Sequence, residues 1–169
     1  MQSKINPDKC DKCELNFESL SNSNLGFFLE VRNLVREFLH DPREFTLEDA
    51  KIWINSNISN NYIIVSEKKS GMKIGYLRLK ELGIFNLQIG LDIHPEYQGI
   101  GHATRIYTCF FDHWNMKKDI NQFSLQVLSK NTRAISLYKK IGFEVSNITK
   151  IELDGKMLEN IYMVKYMKF

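Results

Sequence analysis

The sequence predicts a mixed α/β fold, one sheet with helices packed on both of its faces. Three observations carry that expectation. The apolar period switches repeatedly between two and about 3.6 residues along the chain. A strand-like run ends in the glycine turn of "DIHPEYQGIGHATR", which opens a helical pattern. The chain closes on two strand-like runs around "DGK", a hairpin signal. The expected order is β-α-α-β-β-β-α-β-α-β-β. The 169 residues suit one domain, 1–169, with residues 1–13 as a loosely ordered N-terminal extension.

Each element has its own signal. "ELNFESL" alternates Leu15 and Phe17 and reads as a first strand. In "SNSNLGFFLEVRNLVREFL", Phe28, Val31, Leu34, Val35 and Phe38 recur at helical spacing until "DPRE" breaks the helix. "TLEDAKIWINSN" opens with Thr46 and Asp49 in near capping-box spacing, with Leu47, Ile52 and Trp53 as the expected buried stripe. "NYIIVSE" and "KIGYLRLKE" are two strands around "KKSGM". "FNLQIGLDI" alternates Leu87, Ile89, Leu91 and Ile93 against Gln88, Gly90 and Asp92, and Gly90 marks a bulge or a close backbone approach. From Gly101 to about Met116, Ala103, Tyr107, Phe110, Phe111 and Trp114 share a helical face. "QFSLQVL" is a strand. The next helix, in "SKNTRAISLYKKIGF", is capped by Ser129 or Asn131 and stopped by Gly142.

Composition excludes several classes. Hydrophobic content of 43% and charged content of 25% describe a soluble globular chain. A net charge of +3, from scattered basic residues, does not make a nucleic-acid surface. No apolar segment is long enough for a bilayer and no secretory leader is visible, so the expectation is a cytoplasmic protein without a membrane partner. Cys10 and Cys13 form a lone C-x-x-C, at most half a zinc site, and read as two ordinary thiols near a mobile end. Three cysteines fit a reducing compartment rather than a disulfide framework. Cys109 reads as a small buried hydrophobe, not a nucleophile.

The glycine turn carries the chemistry. Gly99 and Gly101 gather free backbone N–H groups at a positive helix end, where anionic oxygens bind. The dinucleotide fingerprint fails, because its third small position is Thr104 and no early βα unit with a following acid exists, which argues against NAD. On the residues alone the turn is either a phosphate cradle or a turn that merely needs positive φ.

Gln98-Gly99-Ile100-Gly101-His102-Ala103 resembles the Gln/Arg-x-x-Gly-x-Gly/Ala signature of the GNAT acyl-CoA-dependent N-acetyltransferases. Asn131, Ala134, Tyr138, Gly142 and Phe143 are similar to that family's second pattern, Asn-x-x-Ala-x-x-x-Tyr-x-x-x-Gly-Phe. The element order agrees from Glu14 onward. The resemblance implies a mixed, mostly antiparallel sheet of about seven strands flanked by four helices, with a splayed central strand pair opened by a bulge. It implies acetyl-CoA as co-substrate and no metal. Gln98, Gly99, Ile100, Gly101, His102, Ala103 and Thr104 would hold the pyrophosphate. Leu91, Asp92 and Ile93 would line the pantetheine arm, with a backbone N–H near Leu91 or Ile93 facing the thioester oxygen. Asn131 would contact the arm beside its capping role. Tyr138 would be the general acid, since a phenol with a pKa of about 10 can protonate a departing thiolate.

The base is open. Many relatives carry Glu where this chain has Gln88, and Gln cannot accept a proton. Asp92, Glu81 and a water chain are the alternatives. The expected partner is a small-molecule amine. "LEVRN" is similar to the opening of bacterial amino-sugar acetyltransferases, so an amino sugar comes first, nucleotide-linked if Arg32 or Arg36 meets a diphosphate. Arg32 and Gln88 are the expected substrate contacts. "PEYQGIGHATR" is also similar to spermidine acetyltransferases, and Asp41, Glu44, Glu48 and Asp49 would suit a polyamine. The C-terminal half resembles the ribosomal-protein acetyltransferases. A non-catalytic acyl-CoA-binding module and a structural protein reusing the fold are the readings from other classes. A homodimer is compatible with all of them.

Overall fold

The computed structural model describes residues 13–56, 60–114 and 120–167. It contains β1 (Leu15–Ser19), α1 (Leu25–Leu34), α2 (Leu47–Ser56), β2 (Asn60–Glu67), β3 (Lys73–Glu81), β4 (Asn86–Ile93), α3 (His102–Trp114), β5 (Gln122–Leu128), α4 (Thr132–Lys140), β6 (Glu144–Leu153) and β7 (Lys156–Tyr166). The order is the one expected. Single 3-10 turns at Arg36–Phe38 and Pro95–Tyr97 follow α1 and precede α3. The strands form one sheet in the order β1-β2-β3-β4-β5-β7-β6. Every neighbouring pair is antiparallel except β4 and β5.

Period-two alternation gives the sheet two buried faces. Leu77, Leu79, Ile89 and Ile93 pack with Ile106, Tyr107 and Phe110 of α3 and with Tyr138 of α4. Tyr62, Ile64 and Tyr76 pack with Phe28 and Val31 of α1 and Ala50 of α2. Phe28 anchors the second core. Its ring lies 4.7 Å from Tyr76, 5.4 Å from Tyr62 and 6.0 Å from Trp53.

Two helices depart from the expected pattern. α1 stops at Leu34, where the chain tightens into the 3-10 turn, so Leu34 and Phe38 are exposed. The Thr46–Asp49 capping box forms as expected: the Thr46 amide donates to Asp49 Oδ2 at 2.8 Å and the Asp49 amide to Thr46 Oγ1 at 3.1 Å. Of the expected stripe of α2, Trp53 packs into the second core but Leu47 and Ile52 do not. Ala50 is fully buried, with Trp53 and Ile54 partly so, while Leu47 sits in the solvent-facing first turn and Ile52 projects roughly opposite Ala50. At the C-terminal hairpin, Asp154 and Gly155 both have positive φ, 49° and 71°, as a two-residue primed turn requires.

The cysteine expectation is corrected. Cys13 and Cys109 are joined as a disulfide across 96 residues, with Cα atoms 6.1 Å apart, tying the segment before β1 to α3. Cys109 therefore offers no free thiol. Cys10 and the N-terminal extension up to residue 12 lie outside the described residues. No described helix is long and apolar enough to cross a membrane.

Phe28→Ala should lower unfolding stability by about 3–5 kcal/mol, read from urea denaturation, because it empties the site that joins α1 to the sheet.

Candidate active site

The site starts from an incomplete strand pairing. β4 and β5 are in register only over Asn86↔Gln122, Leu87↔Phe123 and Gln88↔Ser124. The last pair is reinforced by Ser124 Oγ donating to Asn86 Oδ1 at 3.0 Å. Beyond Gln88 the strands part. The β3–β4 register runs unbroken from Gly75↔Ile93 to Glu81↔Leu87, so β4 opens without the expected bulge in its β3 ladder. The His94 amide donates to Ile74 O at 3.0 Å. Counting back by two along the strand, the amides of Asp92 and Gly90 also face β3, so those of Leu91 and Ile93 point into the opening. This is where the sequence placed an oxyanion-facing N–H.

The opening continues into a cleft of about 440 Å³. Leu91, Asp92, Ile93, Gln98, Gly99, Gly101, Ala103, Thr104, Asn131 and Tyr138 all line it. Ile100 and His102 do not; Ile100 projects outward. The Gln98 side-chain amide donates to Ile93 O at 2.9 Å, pinning the glycine turn to the strand end. Gly101 has φ +93°, and a Cβ placed there would meet nothing within 4 Å. The turn thus keeps both the backbone conformation and the empty space an anion needs at the start of α3. Lys130 and Arg133 add cations to the lining, and Asp92 is its single carboxylate among the described residues. Asn131 Oδ1 accepts from the Ala134 amide at 3.2 Å, as expected of the cap, and the residue also lines the cleft.

Tyr138 stands at the inner end of the cleft, 8% exposed. Its ring meets those of Tyr107 and Phe143 edge-on, each at 6.0 Å. Burial raises the Tyr138 phenol above its ordinary value; the neighbouring Tyr107 hydroxyl offsets part of this, Asp92 adds to it and Arg78 opposes it. The phenol therefore stays protonated through the neutral range. Tyr107 is fully buried, its hydroxyl neighbours that of Tyr138, and it too lines the cleft.

Other expected residues are placed differently. Arg32, expected as a substrate contact, is turned inward. It is 4% exposed, and its guanidinium donates to the carbonyls of Arg43 and Asp41 and to Asn33 Oδ1 while lying 3.5 Å from the centre of the Phe45 ring. It fixes the α1–α2 connection. Glu81 is exposed at the far end of β3, on the strand face opposite Asp92. Gln88 shares the face of Asp92 but sits at the last β4–β5 pair, four residues back. Arg36 pairs with Glu44 at 3.5 Å. Sequence reasoning missed Arg78, which faces Asp92 with Nε 3.3 Å from Oδ2. Strand alternation held the signal: Arg78 of "YLRLK" pairs opposite Gly90, beside Asp92.

A glycine turn feeding a helix start, an open strand pair and a buried tyrosine at its end define an acyl-CoA-type transferase site, and the residues present fit that co-substrate. The chain matches the model of the Acetyltransferase (GNAT) domain over residues 16–144 and belongs to that family. It is a GNAT N-acetyltransferase dependent on acetyl-CoA. Among curated proteins it is 26% identical over 134 residues to the spermidine N(1)-acetyltransferase of Escherichia coli K12, covering 75% of this chain and 70% of that protein. It is 23% identical over 138 residues to that of Vibrio cholerae, covering 77% and 79%. Among solved structures, the V. cholerae spermidine N-acetyltransferase in complex with CoA and spermine superposes with a TM-score of 0.78 at 20% identity, over 90% of this chain and 95% of that one.

Tyr138→Phe should lower kcat by roughly 100-fold or more while leaving the acetyl-CoA Kd nearly unchanged, because it removes a proton donor and little packing. With the phenol raised, the wild-type rate should show no alkaline decline from this group below pH of about 10; stopped-assay pH profiles check the sign. Gly101→Val should weaken CoA binding roughly 10- to 100-fold by calorimetry, since it strains the turn and fills the space left for phosphate.

Proposed function

We propose that the protein acetylates a primary amine of a small molecule by direct attack on the acetyl-CoA thioester, without a covalent enzyme intermediate. The observation that carries this is the cleft itself. It has an anion-holding turn at its mouth, inward-pointing amides of Leu91 and Ile93 along its wall, and Tyr138 with Asp92 at its inner end. In this reading Gln98 to Thr104 anchor the phosphates, and the strand amides stabilise charge developing on the carbonyl oxygen. Tyr138 gives its proton to the departing sulfur. Asp92 is the base better placed to take the amine proton, since Glu81 faces away. One of its oxygens, Oδ2, is turned to Arg78. Closure of Cys109 into a disulfide agrees with a mechanism that has no thiol nucleophile.

Two acceptor classes have support. The curated relatives are spermidine enzymes, which favours a polyamine. The amino-sugar reading draws on the similarity around Val31 to Asn33, with Arg32 or Arg36 as the diphosphate contact; Arg32 donates to backbone carbonyls, while the half-exposed Arg36 pairs with Glu44.

Acetyl-CoA consumption over a panel of polyamines, amino acids, amino sugars, nucleotide-linked amino sugars and N-terminal peptides tests the proposal. At least one small amine should yield one amide per CoA released. Calorimetric CoA binding without turnover on any amine would instead mark a binding module, and turnover confined to peptides would move the acceptor to proteins.

A further inference from the structure

We infer that Arg78 is an anion receptor on the acceptor side of the site, so that the amine acetylated here carries a carboxylate or phosphate near its reacting nitrogen. The inference rests on the acetyl-transfer reading above and narrows its acceptor.

Arg78 lies at the apex of the strand opening. It is in register with Gly90, two residues beyond the last β4–β5 pair. Its side chain projects on the face of Tyr76, towards α1 and α2, opposite Leu77 and Leu79. The guanidinium lies across the bare backbone of Gly90: a Cβ there would sit 2.8 Å from Nη2, 3.1 Å from Nε and 3.2 Å from Cζ. Only the Nε edge is engaged, by Asp92 Oδ2. Arg78 makes no hydrogen bond to any described residue, and its side chain keeps 38% of its surface open, against 12% for Asp92.

Arg32 supplies the contrast within the same molecule. Its donors are directed to carbonyl oxygens and its plane is covered by an aromatic ring. That is how this fold uses an arginine for structure. Arg78 has one edge beside a carboxylate, a flat floor under its plane and terminal nitrogens without a hydrogen-bond partner among the described residues. A guanidinium fork presented in this way matches the two oxygens of a carboxylate or phosphate.

Acetyl-CoA does not supply that anion. Its phosphates belong at the Gly99–Gly101 turn, where Lys130 and Arg133 stand. Gly90 is three residues short of Ile93, about 10 Å along the strand, and the turn lies further still. The pantetheine arm and the thioester have no formal charge. The acceptor is then the partner left to bring an oxyanion. Arg78 and Asp92 would read its two ends together, the guanidinium taking the acid group and Asp92 Oδ1 the ammonium. A polyamine offers Arg78 nothing and finds a carboxylate already shared.

The test is steady-state kinetics of the full chain with 3-aminopropanoate, 4-aminobutanoate and O-phosphoethanolamine, against butylamine and spermidine. At least one anionic amine should exceed butylamine and spermidine in kcat/KM by about tenfold or more. Arg78→Gln should abolish that preference, with the loss falling on the KM of the anionic amine rather than on kcat, and with CoA affinity by calorimetry unchanged. Gly90→Ala, which keeps the charge and displaces the guanidinium plane, should shift the preference in the same direction. A wild type that favours spermidine or butylamine overturns the inference. So does an Arg78→Gln variant whose kcat falls equally with every amine, which would assign the guanidinium to the thioester oxygen, or one whose CoA affinity drops. If the wild type binds CoA and acetylates no amine, the acetyl-transfer reading itself fails, a result distinct from transfer without anionic preference.

Discussion

The structure depends on a strand pair that is only partly made. Three residue pairs hold β4 to β5, and from Ile89 onward the two strands go separate ways. A sheet that loses its ladder at its centre exposes backbone donors and acceptors that normally must be satisfied. This fold tolerates the loss because both flanks are complete. β3 pairs with β4 along its whole length, and β5 is paired with β7 over seven residues. The open groups of Leu91 and Ile93 are thus held rigidly by a strand fully bonded on its other edge. A reaction surface of backbone amides gains its accuracy from that one-sided pairing.

The two cores serve the opening from opposite faces. On one face, α3 and α4 bring Tyr107 and Tyr138 against Ile89, Leu91 and Ile93. On the other, α1 and α2 cover β2 and β3 through the Phe28, Trp53, Tyr62 and Tyr76 rings. The α1–α2 connection is long and buries Val35, Leu39 and Phe45. Hydrogen bonds add to that burial: the buried guanidinium of Arg32 ties two carbonyls of the connection to α1, Asn33 binds Phe45 through both its amide and its carbonyl, and His40 Nε2 meets Asn160 Oδ1 on β7 at 2.7 Å. Val35 and Phe38 are thereby brought to the cleft wall. The α1–α2 face thus combines an apolar core with hydrogen bonds to loop backbone, while the α3–α4 face is held by apolar packing.

This division explains what could be read from the sequence. Periodicity revealed every element and its order, since strand alternation and helical stripes record burial directly. Most of the cleft lining was legible too, because the two spaced patterns around Gly99 and Tyr138 lie on contiguous segments. The surroundings of Arg32 and Arg78 were not. Arg32 looks like a surface cation in a helix, and only the fold of a distant loop shows that its charge is consumed by carbonyl groups. Arg78 sits in "YLRLK" like any solvent-facing strand residue. Its significance comes from Gly90, twelve positions away, and from the fact that β5 leaves at that level. Cys13 and Cys109 likewise meet only through packing.

The charges at the inner end follow one logic. A carboxylate set alone in a cleft wall beside a buried phenol would press that phenol further towards its neutral form and would itself lack a counter-charge. Arg78 balances Asp92 without covering it. Because Gly90 has no side chain, the guanidinium can lie flat instead of standing over the opening, so the cation adds charge at the apex while leaving the path along β4 free. A lysine would not reproduce this, since a point charge on a flexible stem has no plane to rest on the strand and no fork to present outward. The same glycine that the sequence marked as a place of close approach is therefore approached by an arginine, and that arginine sets its charge beside Asp92.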